Sequence, residues 1–237
     1  MSLSRTILVT GASSGIGRAV ARQLLQDNHR VIGVSRDVAR FQTTLPNFTP
    51  LQLDLRQVVG LPERAAQLVS DFPDIDAAVF CAGAGRFGSL EEFSYAAIEE
   101  IMTVNFTGHA FLTRALLPRF KQQGRGDLIY IGSEAALKGS RKGAVYCASK
   151  FALRGFTQAL REECSKSGVR VGLINPGMVA TPFFDTLSFE PGDQAGQYIE
   201  AEDVADAVLY MLNSNAGIVV DEINLSPLNK VVRFKKQ

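Results

Sequence analysis

With 237 residues, 46% of them apolar and 21% charged, the chain has a globular composition and enough length to bury a sizeable core. A formal net charge of +1 gives no electrostatic case for nucleic acid or an anionic membrane. No apolar run approaches the roughly 18 residues of a membrane span.

The first strand-like run, Thr6–Val9, leads into Thr10-Gly11-Ala12-Ser13-Ser14-Gly15-Ile16-Gly17. Behind it Ala19, Val20, Leu24 and Leu25 recur at helical spacing, so a helix begins near Gly15 and runs to Gln26. Strand, glycine-rich turn and helix together offer free backbone N–H groups and a positive helix end to a phosphate. The spacing is G-x-x-x-G-x-G, and no Lys follows Gly17 as a triphosphate-binding loop requires.

Further strands are expected at Arg30–Ser35, Pro50–Leu53, Ala77–Phe80, Asp127–Gly132, Arg170–Asn175 and Ile218–Ile223. Helical patterns lie between them, near Pro62–Val69, Tyr95–Lys121, Ala144–Ser167 and Asp203–Leu212. Connections of that length demand parallel pairing. The fold class is therefore α/β, a single-domain doubly wound Rossmann-like parallel sheet with helices on both faces, over residues 1–237. Ligands of such sheets bind at the carboxyl ends of the strands. The basic end Arg233-Phe234-Lys235-Lys236 reads as a solvated tail.

Within the Ala144 helix, Tyr146 and Lys150 are four residues apart and share a face. A lysine cation ~5 Å from a phenol, at an effective dielectric of ~20, favours the phenolate by about 3 kcal/mol. That is roughly two pKa units downward, which would make Tyr146 a usable acid or base. Ser133 follows the apolar run Leu128–Ile131, at the same sheet end as the glycine turn. It either ends that strand as a turn former or donates to a carbonyl oxygen gaining charge. The cysteines Cys81, Cys147 and Cys164 have no metal-ligand spacing, and His29 and His109 make neither a metal site nor a Ser-His-Asp triad, so no metal is expected. Unpaired thiols, and an opening Met1-Ser2-Leu3-Ser4-Arg5 without a signal-peptide core, suggest a reducing cytoplasm.

In these motifs the sequence resembles the short-chain dehydrogenase/reductase family. They are the glycine turn, Asp54, Cys81-Ala82-Gly83, Asn105, Ser133, Tyr146-x-x-x-Lys150, and Pro176-Gly177 followed by Thr181. The resemblance implies a nicotinamide-dependent carbonyl reductase or alcohol dehydrogenase. Tyr146 would exchange the proton, Lys150 would lower its pKa and hold the nicotinamide ribose, Ser133 would orient the carbonyl, and Asn105 would support a water-linked proton path. The implied cofactor-binding set is Gly11, Ser13, Ser14, Gly15, Ile16, Gly17, Ser35, Arg36, Asp54, Leu55, Cys81, Ala82, Gly83, Tyr146, Lys150, Pro176, Gly177, Val179 and Thr181. Cys81 stands where the family usually has Asn, and its loss of an amide should affect stability more than chemistry.

An acid at the end of the second strand would take a ribose 2′-OH, and a basic residue a 2′-phosphate. Here Ser35-Arg36 occupies that place, and Asp37 reads as the N-cap of the next helix. NADP(H) is expected in preference to NAD(H). Phe183 and Phe184, after Thr181, either line an apolar substrate pocket with Phe87 opposite or belong to a loop that only packs on the sheet. Arg141 and Lys142 are either a solvated turn or contacts for an anionic group at the mouth. A small or medium ketone or aldehyde is the expected substrate, with a 3-oxoacyl thioester as rival and an NADP(H)-binding sensor or scaffold without turnover as the reading from another class. The apolar excess on the two long helices, with the resemblance, suggests a homodimer or homotetramer.

Overall fold

The computed structural model describes residues 4–41 and 43–235. Its strands are β1 (Thr6–Thr10), β2 (Arg30–Ser35), β3 (Phe48–Gln52), β4 (Ile75–Phe80), β5 (Gly126–Ile131), β6 (Val169–Pro176), β7 (Phe189–Pro191), β8 (Glu222–Leu225) and β9 (Val232–Phe234). The helices are α1 (Gly15–Gln26), α2 (Leu61–Asp71), α3 (Tyr95–Met102), α4 (Gly108–Gln123), α5 (Ala144–Cys164) and α6 (Ala201–Asn213). Seven strands make one sheet in the order β3-β2-β1-β4-β5-β6-β8. Every neighbouring pair in it is parallel.

Strand periodicity divides the core. Ile7 and Val9 of β1 face α1 and α6, packing with Val20, Leu24, Val204 and Val208. Leu8, between them in sequence, points the other way and joins Phe80, Leu116, Phe120, Tyr130 and Leu153 beneath α4 and α5. All five residues of β1 are buried, as expected for a strand covered on both faces.

A network of charges lies at the amino ends of the central strands. Arg5 reaches Asp76 at 3.0 Å and Asp127 at 2.7 Å, and Arg170 meets the other oxygen of Asp127 at 2.6 Å. This nearly buried network lies at the opposite sheet edge from the glycine turn.

Several expectations need correction. The Tyr95–Lys121 pattern is not one regular helix: a π-helical turn, Thr103–Thr107, separates α3 from α4. The last sheet strand begins at Glu222 rather than Ile218. Asn215 accepts from the Gly217 and Ile218 amides in a turn, and pairing with β6 starts only at Leu173↔Glu222. The basic end is not simply solvated either. β9 pairs with β7 in an antiparallel ribbon, Arg233 forms ion pairs with Glu190 and Asp193, and Lys235 donates to the carbonyls of Phe184 and Asp185. Lys236 lies outside the described residues.

Candidate active site

The turn after β1 is shaped by close backbone approach. Gly11 has φ of +70°, and a Cβ there would lie 2.9 Å from the Ala82 backbone. A Cβ on Gly17 would sit 2.4 Å from the Gly11 carbonyl oxygen. Both positions therefore require glycine. The Ser14 side chain, at the N-cap of α1, makes no bond to the first helical turn, which also holds no acidic residue. The amides of Gly15, Ile16 and Gly17 are thus uncapped, and the donor set fits a dinucleotide pyrophosphate. Ser13 precedes this N-cap, its carbonyl taken by Arg18. Thr181, five residues beyond β6, packs against Gly15, so a Cβ there would meet Thr181 Cβ at 3.3 Å. Pro176 ends β6, the Gly177 amide donates to the Leu225 carbonyl, and Val179 bridges to Ile199.

At the end of β2, Ser35 is buried and donates to the Asp37 carbonyl. The Asp37 carboxylate caps the turn Val38–Arg40 by accepting from the Ala39 amide. Arg36 is exposed and, among the described residues, has no ion-pair partner. Asp54, past β3, is gripped by Arg56 through both carboxylate oxygens. Those bonds hold its carboxyl below the usual range. Leu55 is buried against Gly108 at the start of α4.

The carboxyl ends of β4 and β5 meet the face of α5 that carries Tyr146 and Lys150. Lys150 Nζ donates to the Ile131 carbonyl at 3.0 Å and lies 5.9 Å from the centre of the Tyr146 ring. Gly83 adjoins both the Lys150 ammonium and the Asn105 carbonyl oxygen. Asn105, at 0% exposure in the π-helical turn, accepts from the Ala84 amide at 2.8 Å. Its own NH2 donates to the Ala84 carbonyl at 3.0 Å and to Ser149 Oγ at 2.9 Å. Ser149 in turn donates to the Tyr146 carbonyl. One buried amide therefore ties the Cys81–Ala84 segment to the Tyr146 helix, where a surface or helix-bending Asn would be the usual reading. Ser133 Oγ accepts from the Ala135 amide, which leaves its O–H free to donate.

The electrostatics depart from the expectation of an acidified phenol. Burial pushes Tyr146 up to about 12, against a hydrogen bond with Ser133 that works the other way. Burial likewise brings Lys150 down to about 8. Desolvation is the largest cause of both shifts, because the charged forms of both groups lose water. Cys81 is half-buried, and its thiol is pushed up by burial despite the nearby Lys150, so it stays protonated.

Aromatic rings enclose the Tyr146 side. Phe87 lies 5.0 Å and Phe183 5.9 Å from the Tyr146 ring. Phe184 packs on Phe183, and Phe189 joins Phe87 to Phe184. Arg141 and Lys142 are exposed, and the Lys142 carbonyl accepts from the Gly88 amide.

Sequence reasoning missed three neighbours of this site. Arg18 donates to the Ser13 and Arg40 carbonyls and so joins the glycine turn to the loop after β2, and its place directly after Gly17 was the available signal. Arg56 was legible only as the second residue past Asp54. His109, one turn beyond Asn105, is at 0% exposure with neither ring nitrogen hydrogen-bonded among the described residues. Burial and the Lys150 charge lower it to about 3. Nothing in the sequence distinguished it from a surface histidine.

Comparison with known proteins agrees with this geometry. The pattern of the short chain dehydrogenases matches residues 5–191. The NADP-dependent 3-hydroxy acid dehydrogenase of Salmonella typhi is 32% identical over 238 residues, covering 94% of this chain and 95% of that protein. Among solved structures, a serine dehydrogenase complexed with NADP+ superposes with a TM-score of 0.81 at 27% identity, covering 93% of this chain and 94% of its own. An alcohol dehydrogenase from Thermococcus sibiricus, complexed with 5-hydroxy-NADP, gives 0.85 at 27% identity, covering 97% and 99%. With a match of that extent, and relatives aligned along nearly their whole length, the chain belongs to the short-chain dehydrogenase/reductase family of oxidoreductases.

Proposed function

We propose that residues 1–237 form one NADP(H)-dependent oxidoreductase domain that interconverts a carbonyl and an alcohol on a small or medium, partly apolar substrate. The observation that carries this reading is the convergence of Tyr146, Lys150, Ser133 and Asn105 beneath an aromatic roof, beside a glycine turn with uncapped amides. The dinucleotide supplies or accepts the hydride when bound. Tyr146, kept protonated by burial, holds the proton that the carbonyl oxygen gains on reduction. The O–H of Ser133, which also serves the Tyr146 oxygen, orients that carbonyl oxygen and stabilises its developing charge. Lys150 is fixed by the Ile131 carbonyl, and it favours release of the Tyr146 proton as charge develops. Asn105 acts by position, holding Ala84 and Ser149 so that the α5 face stays aligned.

Cofactor preference rests on the end of β2. The carboxylate nearest that end, Asp37, accepts from the Ala39 amide through Oδ1 as a cap. The Arg36 guanidinium remains for a 2′-phosphate. NADP named with the serine and alcohol dehydrogenases above supports the same choice. Three unpaired cysteines support a reducing compartment. No helix among the described residues is long and apolar enough to cross a membrane. Phe151, 44% exposed on α5, supports pairing of this face with a second copy. A monomer mass by light scattering at micromolar concentration would contradict that pairing.

The test is a panel of ketones and aldehydes with NADPH, followed by nicotinamide fluorescence and run beside Tyr146→Phe. Loss of the phenolic proton should lower kcat by about 100-fold or more with NADPH binding retained. A variant that keeps full activity refutes the assignment.

A further inference from the structure

The aromatic roof leads to a cavity of ≈ 410 Å³ lined by Gly85, Arg86, Phe87, Thr186, Leu187 and Ser188. Its lining is apolar or hydroxylic except at one place. Arg86 is the only charged side chain among the six. Among the described residues it has no ion-pair partner, and the contact it makes is with the Phe93 ring, 5.4 Å from the guanidinium carbon. The carboxylates of the ribbon beyond Ser188 do not compensate it: Glu190 and Asp193 are both paired with Arg233. Phe87, the next residue along, packs against Tyr146 with the two rings tilted. One short segment thus places an uncompensated guanidinium and an aromatic wall on the approach to the proposed proton donor.

We infer that Arg86 is the specificity-determining residue of this cavity and binds a carboxylate on the substrate, so that the reacting carbonyl belongs to an oxo acid with an apolar body. A guanidinium presents paired N–H donors that match a carboxylate, and Arg86 lies over the Phe93 ring. The hydroxyls of Thr186 and Ser188 offer further donors in the lining, while Phe87 and Leu187 take the apolar part. The inference rests on the carbonyl-reductase reading above.

The experiment compares benzoylformate and 3-benzoylpropanoate, each beside its own primary amide, with NADPH and the intact protein. The quantity read is the kcat/KM ratio of acid to amide, in the native protein, Arg86→Gln and Arg86→Lys. A charge-assisted bidentate contact should make that ratio about 10- to 100-fold for the better-fitting acid, carried by KM. Arg86→Gln should bring the ratio close to one and Arg86→Lys should keep part of it. Raising the salt concentration should shrink it in the native protein alone. A native ratio near one, or a preference that survives in Arg86→Gln, overturns the inference while the parent reading stands. NADPH oxidation with no acid, amide or neutral ketone overturns the parent reading, and this inference with it.

Discussion

Replacing His109 by Leu should change how the protein responds to acid. The folded chain holds this imidazole neutral, with its pKa lowered from 6.5 to about 3, because burial strips its water and the Lys150 ammonium lies nearby. The unfolded chain binds a proton below its ordinary pKa, whereas the folded chain does not until about pH 3. Stability must therefore fall as pH drops through 6.5, by up to about 1.4 kcal/mol per unit, with the loss levelling off near pH 3. Between pH 7 and pH 5 this residue alone should remove about 2 kcal/mol. His109→Leu lacks that dependence, and it also removes two buried nitrogens without partners. Equilibrium urea unfolding by far-UV circular dichroism, at fixed protein concentration and pH 7, 6 and 5, measures the difference. The second histidine, His29, is also lowered by burial, but it is common to both proteins and cancels. The variant's relative stability should rise by about 2 kcal/mol as the solution is acidified. Parallel curves would refute the reasoning, whatever the variant's absolute stability.

Arg36→Gln should raise the dissociation constant for NADPH about 10- to 100-fold and leave NADH binding little changed; fluorescence titration of both nucleotides checks this. Gly17→Ala drives a Cβ to within 2.4 Å of the Gly11 carbonyl oxygen. The loop shift should cost about 1–3 kcal/mol and weaken NADPH binding in the same titration. Asp127→Asn removes the negative charge that Arg170 meets at 2.6 Å and Arg5 at 2.7 Å. Urea unfolding should show a loss of about 3 kcal/mol, with turnover per folded molecule unaltered because the network lies at the other edge of the sheet.

The sheet was legible because both its faces are covered, so Ile7-Leu8-Val9 and Leu128-Ile129-Tyr130-Ile131 appear as unbroken apolar runs. Where apolar residues pack without pairing, the pattern misled. Val219 and Val220 are partly buried, yet the ladder with β6 begins beyond them. The π-helical turn was invisible because Thr103–Thr107 continues the helical spacing, and only the backbone shows the extra residue that brings Asn105 inward. Lys150 and Tyr146 could be paired from spacing alone. The sign of the Tyr146 shift could not, since it depends on how completely the roof excludes water. The β7–β9 ribbon is three residues long on each side and leaves Phe234 exposed, so neither strand carries an alternating signal.

That ribbon bears on how substrate choice could be transplanted. The roof segment is stitched to a residue about fifty positions further on: Lys235 donates to the Ser188 carbonyl through its amide and to the Phe184 and Asp185 carbonyls through its side chain. A chimaera that borrows residues 182–192 from another reductase would inherit half a seam. Exchange of 182–192 together with 231–235 is the smallest graft that carries its own fastening.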